Sequence, residues 1–177
     1  MAREIPERYA WAVEILDVRP DDLTLEIGCG YGHSIPLIAP KLSTGHLTLI
    51  DRSETMAAAA AKLGYEESAE EKVTVIRADL LSNNLQENSF DKIFLFNINV
   101  FWMDPIAELT EIRRLLKPDG MFYLFHQPPP GHELEEFVSA FRANLAKYGF
   151  ECKEILRNES EVVRSLCLIA TPTTNHR

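Results

Sequence analysis

The sequence predicts an α/β protein: a doubly wound, Rossmann-like sheet of seven strands, mostly parallel with one antiparallel strand at the C-terminal end, and helices on both faces. Three observations predict it. Strand-length runs alternate with amphipathic helical stretches until the last two strands, which are joined only by Asn158 to Arg164, too short for a crossover helix. Phe90 to Asn97 is nearly all apolar, as a strand covered by helices on both faces would be. Leu23 to Ile27 alternates like a strand and runs directly into Gly28-Cys29-Gly30-Tyr31-Gly32 and the start of a helix.

In chain order, Pro6 to Leu16 carries Tyr9, Ala12, Val13 and Leu16 at spacings of three and four, an amphipathic helix ending before Pro20. After the glycine turn, Ser34 and Pro36 fit the cap and first turn of a helix reaching about Leu42. His46 to Asp51 is the second strand, and Ser53 caps a Met- and Ala-rich helix whose stop is Gly64. Lys72 to Ala78, with β-branched Val73, Val75 and Ile76, is the third. Beyond the fourth, Asp104-Pro105 supplies a cap and first-position proline for a helix with Ile106, Leu109, Ile112 and Leu116 on one face, ending at Lys117-Pro118-Asp119-Gly120. Met121 to Gln127 is the fifth strand, Pro128 to Gly131 breaks the chain, and Glu133 to Tyr148 is a helix stopped by Gly149. Glu151 to Arg157 and Ser165 to Thr171 complete the sheet. Residues 1–20 read as an N-terminal helical arm and 21–177 as a single domain.

Composition narrows the function. Lys and Arg total 18 against 27 Asp and Glu, a net charge of −9 that repels a polyanion, and no basic stripe compensates. No nucleic-acid partner is expected. Cys29, Cys152 and Cys167 are odd in number with no Cys-x-x-Cys pair, and the five His residues lack ligand spacing, so neither a disulfide framework nor a metal site is expected. The longest apolar runs fall short of the ~20 residues that span a bilayer, and no apolar signal region follows the N-terminus. The expected location is cytoplasmic.

The chemistry concentrates at Glu26-Ile27-Gly28-Cys29-Gly30-Tyr31-Gly32. Glycines let the backbone approach a ligand and adopt positive φ. A dinucleotide fingerprint requires G-x-G-x-x-G, but here the third glycine falls one position early, at Gly32, with His33 in the place that the fingerprint wants. The Glu26 carboxylate would repel a pyrophosphate and attract an amino group or sulfonium. Glu26, Asp51 and Asp79 all fall at strand ends on the edge of the sheet where open α/β folds bind ligands.

At these residues the sequence resembles the class I S-adenosylmethionine-dependent methyltransferases, whose first motif is E/D-x-G-x-G-x-G. The resemblance extends in register over about residues 20 to 127 and points to the small-molecule branch related to the ubiquinone and menaquinone biosynthesis methyltransferases. It includes Phe90-Asp91-Lys92-Ile93 through Asn97, and Glu111 to Gly120 as the E-x-x-R-x-L-K-P-G-G helix and turn, with Asp119 in place of the first turn glycine. The resemblance implies S-adenosylmethionine as cofactor and S-adenosylhomocysteine as product. It also implies that Glu26, Gly28, Cys29, Gly30 and Gly32 form the first cofactor motif, that Asp51 accepts from the ribose hydroxyls, and that Asp79 and Leu80 frame the adenine. Arg52 is a solvated charge or a cofactor contact, Met56 a core residue or an adenosine contact, and Asn97 a cofactor contact, while Asn97 and Asn99 either orient an acceptor oxygen or hydrogen-bond the loop backbone. Asn99 and Trp102 are candidates for acceptor binding, with Phe101 assigned to packing. Asn97-Ile98-Asn99-Val100 lacks the Asn/Asp-Pro-Pro-Tyr of many amino-directed methyltransferases.

Methyl transfer from a sulfonium is an in-line displacement, so positioning supplies most of the acceleration and a base is needed only where the acceptor must lose a proton. His126, near the end of the fifth strand, is the candidate base, with a structural strand histidine as its alternative. The expected activity is methyl transfer to a small organic acceptor by O or C attack. Methylation of a macromolecule and a non-catalytic cofactor-binding module are the alternatives. So short a chain needs an open site, a small acceptor, or a second chain over the site, such as a homodimer would supply.

Overall fold

The computed structural model describes residues 5–67, 71–98, 101, 103–129, 131–159 and 164–173. The strands lie in one seven-stranded sheet in the order β3-β2-β1-β4-β5-β7-β6, comprising β1 (Leu23–Ile27), β2 (His46–Asp51), β3 (Val73–Arg77), β4 (Phe90–Phe96), β5 (Leu116–His126), β6 (Phe150–Glu159) and β7 (Arg164–Pro172). The chain divides into two compact units, Met1–Asn83 and Asn84–Arg177.

In the first unit β2 pairs in parallel with β1, Leu23 opposite His46 through Ile27 opposite Ile50, and with β3, Leu47 opposite Val73 through Asp51 opposite Arg77. Parallel pairing brings the carboxyl ends of all three strands to one edge. Helix α1 (Glu7–Leu16) buries Tyr9, Ala12, Val13 and Leu16, the face that the spacing predicts, and packs on the short helix α2 (Ile35–Ile38), which a 3-10 turn, Ala39–Lys41, extends. Helix α3 (Glu54–Glu66) starts as expected, the Ser53 hydroxyl accepting from the Met56 N–H.

Two local expectations fail here. Gly64 does not stop α3; it is buried within the helix, where an added side-chain carbon would lie 3.8 Å from Val73 and 3.9 Å from Ile35, so it is a packing position. Ser34 precedes α2, but its side chain caps nothing, because its hydroxyl donates to Glu26 instead.

In the second unit β4 and β5 are parallel, and β7 runs antiparallel to both of its neighbours, β5 and β6. Helix α4 (Ile106–Leu115) buries Leu109, Ile112 and Leu115; α5 (Leu134–Lys147) buries Leu134, Phe137, Val138, Phe141 and Leu145. The predicted turn after α4 is already strand: Leu116 pairs with Phe90 at once, and the extra residues before Met121 are absorbed as an irregularity opposite Phe90 and Lys92. Lys117 Nζ closes it on both carboxylate oxygens of Asp91, at 2.8 Å each. Asp104 does not cap α4 either. Its carboxylate accepts from the Tyr148 hydroxyl and from Lys147 at the end of α5, and Pro105 takes the cap position. Among the described residues no helix is long and apolar enough to cross a membrane.

Candidate functional site

At the carboxyl end of β1 the chain turns sharply. Gly28, Gly30 and Gly32 all have positive φ, at 69°, 54° and 75°. Gly32 is indispensable for a second reason: an added Cβ would lie 2.9 Å from Ile35 Cδ1 and 3.0 Å from Ala60 Cβ, closer than packed carbons approach. It seats the turn against α2 and α3. Gly30 differs, because a Cβ there would meet nothing within 4 Å. Its missing side chain faces open space.

The turn's amides are largely spent within the protein. Gly28 and Cys29 N–H both donate to Ile50 O of β2, at 2.8 and 3.1 Å, Gly30 N–H to Asp51 Oδ2 at 2.9 Å, and Gly32 N–H to Cys29 O at 2.9 Å. A phosphate cradle needs such amides free to converge on an anion. Four donors turned inward leave this loop poorly suited to pyrophosphate, in agreement with the glycine spacing.

Acidic side chains end the three parallel strands. Asp51, half-buried at the end of β2, accepts from the Gly30 N–H through Oδ2 and from the Ser53 N–H through Oδ1, at 2.8 Å, so one carboxylate ties the glycine turn to the start of α3. Each oxygen keeps a further lone pair for a ligand hydroxyl. Asp79, exposed just beyond β3, accepts from the Leu81 N–H at 2.9 Å, and Leu80 beside it is buried. Glu26 is 1% exposed, and Ser34 donates to its Oε2. Burial, with a smaller contribution from the Asp51 charge, pushes its carboxyl up to about 8 against the lowering effect of the Ser34 bond. Cys29 is fully buried, and burial first, then the Glu26 and Asp51 charges, raises its thiol far above the ordinary range. That removes it as a nucleophile and leaves it a packing residue of the turn.

Arg52 is exposed, and Met56 is half-buried in the first turn of α3. The first unit thus brings Glu26, Gly28, Cys29, Gly30, Gly32, Asp51, Arg52, Met56, Asp79 and Leu80 to the carboxyl ends of three adjacent parallel strands. Neighbours that spacing did not reveal include Ser34 on Glu26, and Tyr9 from α1. The Tyr9 ring lies 5.4 Å from His33 and carries the Arg8 guanidinium 5.2 Å from its centroid. Tyr9 and Glu26 are 17 residues apart in sequence, and only the packing of α1 on α2 brings them together.

In the second unit Asn97 follows β4 with φ 52°; its N–H donates to Phe125 O at 3.0 Å and its Oδ1 accepts from the Gln127 N–H at 2.7 Å. Its side-chain carbonyl therefore binds loop backbone, one of the roles left open. His126 is 5% exposed at the end of β5, with ring centroids 4.3 Å from Phe137 and 5.4 Å from Phe141 of α5, and its buried Nε2 has no hydrogen-bond partner among the described residues. Desolvation lowers its pKa to about 4, so the imidazole is neutral at pH 7. Its surroundings are those of a packing residue; among the described residues no acid or hydroxyl orients it as a base needs. Phe101 is buried against Phe122, as the packing assignment expects. Asn99 and Trp102 lie outside the described residues.

Three carboxyl groups around an open glycine turn suit a ligand that brings an ammonium or sulfonium and a diol. S-adenosylmethionine brings all of these: Glu26 fits the cationic end, the space at Gly30 admits a close approach, and Asp51 offers acceptor lone pairs to hydroxyls.

Comparison with known proteins agrees with this fit. A family model described as a methyltransferase domain matches residues 25–124. An uncharacterized methyltransferase of Bacillus subtilis, YdaC, is 27% identical over 174 residues, covering 96% of this chain and 94% of its own. Demethylmenaquinone methyltransferase of Staphylococcus aureus is 34% identical over 119 residues, which cover 65% of this chain and only 47% of that enzyme. Among solved structures, a SAM dependent methyltransferase from Aquifex aeolicus superposes with a TM-score of 0.77 at 16% identity, over 97% of this chain and all of that one.

Proposed function

The chain belongs to the methyltransferase-domain family and is an S-adenosylmethionine-dependent methyltransferase, and from that premise we propose that its acceptor is a small organic molecule attacking through oxygen or carbon. One observation supports the cofactor half most directly: Glu26, Asp51 and Asp79 end three adjacent parallel strands beside a glycine turn whose amides are mostly turned inward. The small acceptor is supported by the net charge of −9, which disfavours nucleic acid, and by the similarity over 119 residues to a demethylmenaquinone methyltransferase.

In this reading Glu26 faces the cofactor's amino-acid end, Asp51 accepts from the ribose hydroxyls, and Asp79 and Leu80 border the adenine. Gly28, Cys29, Gly30 and Gly32 shape the turn beneath it, with Arg52, Met56 and Asn97 as flanking contacts and Asn99 and Trp102 toward the acceptor. When bound, the cofactor supplies an electrophilic methyl group on a sulfonium. The chain's contribution is to hold that ligand rigidly, exclude water and present the acceptor in line, which can supply roughly 7–11 kcal/mol of the barrier reduction without a base. The packing of His126 between Phe137 and Phe141 supports a baseless transfer. Residues 21–177 act as one cofactor-binding domain with 1–20 as its helical arm, in the cytoplasm, and a homodimer is one way to close so short a chain over its acceptor.

The test is turnover of methyl-labelled S-adenosylmethionine against a fractionated metabolite extract. Label transferred to one small-molecule fraction is expected; label found only in protein or nucleic acid would overturn the acceptor class. Calorimetric titration separates the cofactor: S-adenosylmethionine binds and NADH does not, and the reverse would sink the reading.

A further inference from the structure

Beyond its role as a cofactor contact, Glu26 has surroundings that specify its charge. The side chain is 1% exposed, and its hydrogen-bond partner is the neutral Ser34 hydroxyl. Titratable groups from three elements of the first unit act on it. Among the described residues they include Tyr9 of α1, Cys29 of the glycine turn, and Asp51 of β2. The phenol and thiol are both held neutral by burial, and Asp51 adds a like charge. Arg8, the cation beside Tyr9, is engaged with that residue, lying over its ring and bonding its hydroxyl. A carboxylate buried among neutral groups beside another acid is unfavourable, whereas the protonated acid is not.

We propose that Glu26 is a neutral acid in the cofactor-free protein and releases its proton to solvent when the ammonium of S-adenosylmethionine reaches it, so that cofactor binding and proton release are one event. The O–H bond of the carboxyl breaks, the proton passes to water, and the carboxylate left behind pairs with the ammonium. No oxidant or further reactant is required. This coupling rests on the S-adenosylmethionine reading of the site.

The proton balance changes sign with pH. The carboxyl stands at about 8, and a free α-amino group titrates near 7.7–8.0. At about pH 6.5 the ligand arrives charged and the protein must lose a proton, so affinity rises with pH, up to roughly tenfold per unit. At about pH 9.5 Glu26 is already ionised and the free amine is neutral, so forming the same ion pair takes a proton up. Affinity is therefore greatest near pH 8 and falls on both sides.

The experiment is calorimetric titration of the whole protein with S-adenosylmethionine in pairs of buffers of different ionisation enthalpy. Expected are release of about one proton per ligand near pH 6.5 and uptake of about one near pH 9.5. Glu26→Gln, which has no carboxylate to pair with the ammonium, should abolish both the release near pH 6.5 and the uptake near pH 9.5. Ser34→Ala, which removes the bond favouring the charged form, should move the crossover to higher pH. An infrared band of a protonated buried carboxyl should also vanish when the cofactor is added to the wild type. This last readout holds even where Glu26→Gln no longer binds. Binding near pH 6.5 with no proton exchange, or release that survives in Glu26→Gln, overturns the coupling. Failure of the wild type to bind S-adenosylmethionine at any pH would instead overturn the reading it rests on.

Discussion

Replacing Glu26 with Gln should make the protein more stable at neutral pH, and the gain can be worked from its surroundings. The native carboxyl is raised from 4.5 to about 8, so the folded chain holds a proton that the unfolded chain loses. Stability is thus undiminished below about pH 4.5, falls as pH rises through the 4.5 to 8 window, and levels above it. At about 1.36 kcal/mol per unit, the loss is roughly 3 kcal/mol at pH 7 and under about 1 kcal/mol at pH 5. Gln keeps the shape and can still accept from Ser34, but its amide brings an extra donor, a cost of about 1–3 kcal/mol if unsatisfied. That cost does not vary with pH. The robust quantity is therefore the change in the difference between variant and wild type, about 2–3 kcal/mol in favour of the variant from pH 5 to pH 7. Urea denaturation at the two pH values measures it directly. A difference that stays constant between them would refute the neutral-acid assignment, however stable the variant proved to be.

Asp51→Ala should both weaken S-adenosylmethionine binding by about 1.5–3 kcal/mol and destabilise the cofactor-free protein by about 1–3 kcal/mol, since the Gly30 and Ser53 amides lose their acceptor. Unchanged denaturation would remove the structural half of that claim, and unchanged affinity the binding half. Gly30→Ala should cost only about 1–2 kcal/mol for its positive φ yet impair cofactor binding, because the new methyl enters the open side of the turn. Gly32→Ala meets Ile35 and Ala60 and adds about 1–3 kcal/mol of overpacking to the same backbone penalty; equal melting shifts for the two variants would contradict the geometry. His126 is neutral in the fold down to about pH 4 but protonates near 6.5 when unfolded, so the stability it contributes is lost as pH falls from 6.5 toward 4. His126→Leu should flatten that acid limb. If it instead abolished turnover with the fold intact by circular dichroism, the imidazole would be restored as a base.

Periodicity gave the buried face of α1 residue for residue, because a solvent-facing helix sorts its side chains by polarity at spacings of three and four. The glycine turn and the acids at 26, 51 and 79 were equally legible, since parallel strands fix their ends to one edge. What failed were local pairings with a distant competitor. Ser34 reads as a cap until Glu26 takes its hydroxyl, and Asp104 reads as a cap until Tyr148 and Lys147 take its carboxylate. The packing of His126 against α5 was hidden for a different reason. Residues 122–126 of β5 are buried throughout, so no polar alternation marks which side chains face α5. The Tyr9–Glu26 proximity had no sequence signal, being created by α1 settling on α2.

The order of strands in the second unit also bears on how the chain is made. β7 lies between β5 and β6 and is synthesised after both, and among the described residues β6 is hydrogen-bonded to the sheet through it. Arg113 of α4 reaches forward 60 residues to bond Thr173 O at 2.9 Å, just past the end of that same strand. Until β7 emerges, β5 presents a long apolar edge and β6 has nowhere to dock. The second unit therefore completes its part of the sheet only with its last strand, and until then the β5 edge is open to wrong partners.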